Sequence, residues 1–77
     1  MYLVQSILFN KSKWDLKESR KWLRENGYKS TKVDEKEHFL RFRQVDPTKL
    51  EKRGFYFRTK KLGNSGIEFI IAYNDYF

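Results

Sequence analysis

Phe39-Leu-Arg-Phe-Arg-Gln-Val-Asp-Pro-Thr-Lys-Leu50 is the stretch whose reading decides the fold. In an extended chain its side chains alternate. Leu40, Phe42 and Gln44 share one face, and Phe39, Arg41, Arg43 and Val45 share the other. The alternation predicts a strand over residues 38–45. Asp46-Pro47 ends it: Asp is a good helix cap, and Pro fits the first helical position because its missing N–H would have no partner there. A short helical turn over residues 47–52 is therefore expected, followed at Gly54 by release into another strand.

Upstream lies the clearest helix signal. Asp15 is placed to cap, Glu18 completes a capping-box pattern and Gly27 supplies the usual C-terminal stop. Leu16, Ser19, Trp22 and Leu23 fall on one arc of a 3.6-residue wheel and are expected to pack on a sheet. Lys17, Arg20, Lys21 and Arg24 form a separate basic stripe. Trp14 is expected to fold back over the first turn.

Before the helix, residues 2–9 read as a first strand rather than a leader, because the stretch lacks basic residues and contains Gln5 and Ser6. Leu3, Gln5, Ile7 and Phe9 are expected on one face, and Val4, Ser6 and Leu8 on the other. Apolar groups on both faces predict a central strand. A short strand is expected at residues 31–33, then a charged turn at residues 34–37. Downstream, residues 55–61 read as a strand, Gly63-Asn-Ser-Gly66 as a hairpin loop and Ile67–Tyr73 as a final strand. The order is β-α-β-β-turn-β-β. It defines an α+β fold with one amphipathic helix packed on a roughly five-stranded mixed or antiparallel sheet. No linker divides the 77 residues, so a single small domain is expected, with a loosely held tail at 74–77.

So short a chain builds a limited core. Fourteen aromatic residues offset this through the large apolar area that each ring buries. Trp22, Phe42, Phe57 and Phe69 are the expected core rings. There is no cysteine, which excludes disulfides and thiolate metal sites. No stretch is long and apolar enough for a membrane span.

The formal charge is +7, unevenly placed. Residues 11–33 carry eight basic and three acidic groups, and residues 39–61 carry eight basic and two acidic groups. This balance points to acidic partners, nucleic acid first among them. Arg41 and Arg43 share one face of a strand, as do Arg58 and Lys60. Should the two faces coincide, they form a basic patch bearing Phe39 or Tyr56, with cations for phosphates and a ring for an exposed base. The helix stripe of Lys17, Arg20, Lys21 and Arg24 is a second candidate, suited to backbone phosphates. The alternative for both is a solvated surface paired internally with Glu18, Glu25, Asp34 and Glu68.

Catalytic chemistry finds little support. The single histidine, His38, opens a strand beside Glu37 and reads as a surface group. Asp34, Glu35 and Glu37 surround Lys36 and match no calcium loop. Gly63–Gly66 lacks the Gly-Lys-Ser/Thr ending of a phosphate loop. Lys52-Arg-Gly-Phe-Tyr-Phe-Arg58 approaches the aromatic strand of an RNA-recognition domain, but Tyr56 stands where a small residue is expected and Arg58 where an aliphatic one is. With no acid–base–nucleophile set and no metal-ligand set, no enzyme activity, cofactor or metal is expected.

Ser6-Ile-Leu-Phe9, Trp14-Asp-Leu-Lys-Glu-Ser-Arg-Lys-Trp-Leu-Arg-Glu-Asn-Gly-Tyr-Lys29, Phe39-Leu-Arg-Phe-Arg-Gln-Val-Asp-Pro47, Phe57-Arg-Thr-Lys-Lys-Leu62 and Gly66-Ile67 occur in an order that resembles a small viral module. It is similar to a segment that accompanies head-maturation protease and other capsid-morphogenesis proteins of tailed phages, and to small stand-alone proteins of large DNA viruses. The resemblance covers residues 5–72 and implies a viral context, in the virion or the host cell interior (cytoplasm or nucleus). It carries over no catalytic residue. Ser19 departs from it, standing where a smaller apolar residue is common, as does the continuation of the final strand into residues 73–77. The expectation is a non-enzymatic viral accessory module that binds nucleic acid, DNA or RNA, without sequence preference. The alternative is a docking module for other virion proteins built on exposed aromatics.

Overall fold

The computed structural model describes residues 2–74. Five strands form one sheet: β1 (Tyr2–Asn10), β2 (Asp34–Glu35), β3 (Phe39–Arg43), β4 (Tyr56–Lys61) and β5 (Ile67–Tyr73). Their spatial order is β2-β3-β1-β5-β4, and every neighbouring pair is antiparallel. Two helices accompany them, α1 (Leu16–Glu25) and α2 (Pro47–Lys52). The fold is a small α+β fold with β1 at the centre of the sheet, as the apolar groups on both its faces require. Residues 75–77 of the expected loose tail lie outside the described residues. Asn74 is buried, and its Nδ2 donates to the Arg53 carbonyl at 3.0 Å.

Both helices begin and end where their cap chemistry dictates. The Asp15 side chain accepts from the Glu18 N–H at 2.7 Å, and that of Asp46 accepts from the Thr48 N–H at 2.9 Å. Each helix then closes in a Schellman turn with glycine in the left-handed region. Tyr28 N–H donates to the Leu23 carbonyl beyond Gly27, and Phe55 N–H donates to the Leu50 carbonyl beyond Gly54. Behind the first of these turns the Tyr28 ring lies parallel to Trp22, with an interplanar angle of 4° and centroids 6.1 Å apart.

Under α1, Ile7, Phe9, Leu23, Leu40, Phe42 and Ile67 form the buried cluster, with Val4, Trp14, Trp22, Tyr28, Val33 and Phe69 packed around it. Phe9 is its hub. Edge-on contacts join it to Trp14, Trp22 and Phe42, with centroids 5.2, 5.8 and 5.6 Å away. Of the four expected core rings, Phe42 is fully buried, and Trp22 and Phe69 are partly buried against the cluster. Phe57 is not part of it. It pairs with Ala72, whose side chain points to the opposite face of the sheet. That second face carries α2, so the sheet has a helix on each side. Leu50 of α2 and Ala72 are both buried there.

Three local expectations are corrected. First, β1 contains a bulge. Val4 pairs with Ile71 and Ser6 with Ile70, leaving Gln5 as the extra residue. The bulge inverts the alternation, so Val4, not Leu3, joins Ile7 and Phe9 on the α1 side. The Gln5 carbonyl accepts from Gln44 and Val45 N–H, and its Nε2 donates to the Val45 carbonyl at 2.8 Å. Second, residues 31–33 form no strand. Arg20 holds the Ser30 carbonyl through Nε (3.1 Å) and the Thr31 carbonyl through Nη2 (3.4 Å). Lys29 and Gln44 are joined by two further hydrogen bonds. With the carbonyls of Lys29, Ser30 and Thr31 bonded to side chains, residues 29–33 run as a strap beside α1, and the edge pairing begins only at Asp34. Third, Trp14 is anchored on the sheet and the hairpin: its ring packs on Phe9, and its Nε1 donates to the Ser65 carbonyl of the β4–β5 hairpin at 2.7 Å.

Candidate nucleic-acid interface

The register decides which cations can act together. Arg41 pairs with Leu8 and Arg43 with Ser6, on the α2 side of the sheet. Arg58 pairs with Ile71 and Lys60 with Phe69, whose side chains point to the α1 side. The two strands are also separated by β1 and β5, three inter-strand steps or roughly 14 Å. The expected patch of four strand cations therefore does not assemble. Its halves lie on opposite faces.

Three of the eight candidate cations serve internal contacts. Arg41 donates from Nε to Ser6 Oγ and from Nη2 to Gln5 Oε1, both at 3.1 Å, and so fastens β3 to the bulge. Arg43 pairs with Asp34 at 3.5 Å, where each side chain is half exposed. Arg20 holds the strap. The other five remain available. Lys17, Lys21, Arg24 and Lys60 are exposed and make no hydrogen bond or ion pair among the described residues. The Arg58 guanidinium sits 5.7 Å from the centroid of the Tyr56 ring. The acids expected to neutralise the helix stripe do not. Among the described residues, ion pairs within 4.0 Å join Lys11 to Glu35, Arg43 to Asp34 and, when protonated, His38 to Glu37.

The remaining cations form two surfaces. On the first, Lys17, Lys21 and Arg24 run along the flank of α1 that Arg20 ties to the strap. Beside that flank, Lys29 and Lys32 of the strap line an open groove of about 430 Å³, shared with Arg43, Asp34 and Asp46. On the second, Tyr2, Tyr73 and Tyr56 stand in register on β1, β5 and β4, followed by Arg58 and Lys60. Tyr73 lies 6.1 Å from Tyr2 and 5.7 Å from Tyr56, ring centroid to centroid. The helix leaves this row open: Tyr2 is 69% and Tyr56 43% exposed. Only the placement of Tyr56 beside Arg58 and Lys60 was legible in the chain. The other two rings are distant in sequence, and the sheet register joins them.

The acidic turn and His38 form no centre. Asp34 and Glu35 are each paired with a cation. No group of three or more His, Asp or Glu side chains comes together among the described residues. No helix among the described residues is long and apolar enough to cross a membrane. No family model matches the chain, and neither the curated proteins nor the solved structures give a match.

Proposed function

We propose that this chain is a non-enzymatic accessory module that binds nucleic acid through its phosphates without sequence preference, in a virion or in the interior of an infected cell. The observation that carries the reading is the α1 flank. Three cations on successive turns, Lys17, Lys21 and Arg24, stand exposed and, among the described residues, unpaired, beside a strap that adds Lys29 and Lys32. A cation with no internal partner keeps its full charge for a phosphate and releases a counterion when it binds one.

The test is a salt titration. For duplex DNA the slope of log K against log salt is about −0.9 for each phosphate neutralised. The triple variant Lys17→Glu, Lys21→Glu, Arg24→Glu is expected to flatten that slope by roughly 3. Affinity that stays constant from low to moderate salt in the parent chain would sink the proposal.

A second reading has one observation in its favour. The α2 side of the sheet holds a groove of about 450 Å³ where Leu8, Phe57 and Ile70 meet Arg41, Pro47 and Glu51. A mixed apolar and charged hollow of this kind suits a protein partner such as another virion component. Substituting Phe57 by Asp would remove such an interaction and leave the salt slope unchanged.

A further inference from the structure

We infer that the row Tyr2–Tyr73–Tyr56, with Arg58 and Lys60, is a stacking site for unpaired bases, so that the preferred ligand is a single strand. The inference rests on the nucleic-acid reading above and adds the class of nucleic acid. Its basis is geometric. Three rings occupy one line across three adjacent strands, at successive centroid spacings of 6.1 and 5.7 Å. Tyr73 is the half-buried middle member, and the open ring surface belongs to Tyr2 and Tyr56.

Charge accompanies the rings on the same side. Arg58 and Lys60 follow Tyr56 at every second residue of β4, and Arg58 is already placed against the Tyr56 ring. The Tyr56 ring is stacked on Tyr73 at an interplanar angle of 20°, so a single strand laid across β1, β5 and β4 would extend the stack at its exposed end rings, Tyr2 and Tyr56, and meet cations at its β4 end. Aromatic side chains combined with a positive surface are the recurring means of holding single strands without reading their sequence. A duplex has its base faces already stacked and could use only the cations.

The row also explains why the resemblance to an RNA-recognition strand is misleading. The ring of that segment open to a ligand is Tyr56, the residue that breaks the pattern. Phe57 points to the other face, beside α2.

The experiment uses the full chain and three probes at matched salt: oligo(dT), a duplex of equal length, and heparin as a polyanion without bases. Binding is read by fluorescence anisotropy, or by competition for heparin. The parent chain is expected to bind oligo(dT) about tenfold or more tighter than the duplex. Tyr56→Ala is expected to weaken oligo(dT) binding about 5- to 100-fold and to leave heparin and duplex within about twofold. Tyr56→Phe should restore the parent value. Tyr2→Ala, a change at a 69% exposed side chain, should repeat the selective loss even if Tyr56→Ala folds poorly. An equal loss on all three probes, or no loss with either Ala variant, overturns the stacking site and leaves the phosphate reading intact. A parent chain that binds none of the three overturns both.

Discussion

Gly66→Ala should be among the most damaging single-methyl additions to this chain, and Gly63→Ala is its control. Both glycines lie in the same hairpin at positive φ, +81° and +53°. A Cβ at Gly63 meets nothing within 4 Å. At Gly66 it would stand 3.0 Å from Lys13 Cδ, 3.2 Å from Lys13 Cβ and 3.3 Å from Trp14 Cδ1. Each substitution forces an L-residue into the left-handed region, at about 1–2 kcal/mol. The smaller entropy of the unfolded alanine chain offsets roughly 0.5 kcal/mol of that. Only Gly66→Ala must also move the indole that donates to Ser65 and packs on Phe9. Losing that hydrogen bond costs about 1 kcal/mol and displacing the ring from its rotamer about another. The total is about 3 kcal/mol at Gly66 against about 1 at Gly63. A domain of 77 residues has roughly 4–12 kcal/mol to lose. Urea unfolding followed by tryptophan fluorescence resolves this. With m near ~1 kcal/mol/M, the two midpoints should differ by about 2 M at unchanged m. In a Trp14→Ala background the Gly66 penalty should shrink toward that of Gly63. Coincident midpoints for the two glycine variants would refute the steric argument.

Other expectations follow from single contacts. Asp15→Ala removes the cap on Glu18 N–H and should lower stability by about 1 kcal/mol in the same urea assay. Ser19→Ala should be neutral or slightly stabilising, although Ser19 is fully buried. Its Oγ only bonds back to the Asp15 carbonyl, which still accepts from Ser19 N–H, and alanine is the better helix former. Arg41→Ala should cost about 1–3 kcal/mol by taking a donor from Gln5 Oε1 and Ser6 Oγ. It should change the salt slope of DNA binding by less than one phosphate. A loss of binding without a loss of stability would return Arg41 to the ligand surface.

Much of the fold was legible because its punctuation is local. Asp15, Gly27, Asp46-Pro47, Gly54 and Gly63–Gly66 each act within a few residues, and both helices and the hairpin fall where they indicate. The bulge at Gln5 was hidden because β1 carries apolar side chains on both faces. A shift of one residue therefore leaves its alternation plausible either way. Residues 31–33 have strand-like composition, but Arg20 takes the carbonyls of Ser30 and Thr31, at the very start of such a ladder. The candidate site failed for a related reason. Alternation along β3 and β4 sorts side chains within each strand correctly, yet their common face depends on register transmitted through β1 and β5. The same register, invisible in the chain, brings Tyr2 and Tyr73 to Tyr56.

The position of β1 has a kinetic consequence. Its two neighbours in the sheet are β3 and β5, and β5 lies at the far end of the described chain from it. The central strand cannot complete its hydrogen bonding until residues 67–73 have found it, so loop closure over nearly the whole length precedes the main energetic gain. Folding should be slow for so small a domain, on the millisecond-to-second scale of sheets dominated by distant pairings. Until it finishes, β1 presents Val4, Ile7, Leu8 and Phe9 along an open edge, which makes the unfinished chain, rather than the finished sheet, the species most prone to aggregate.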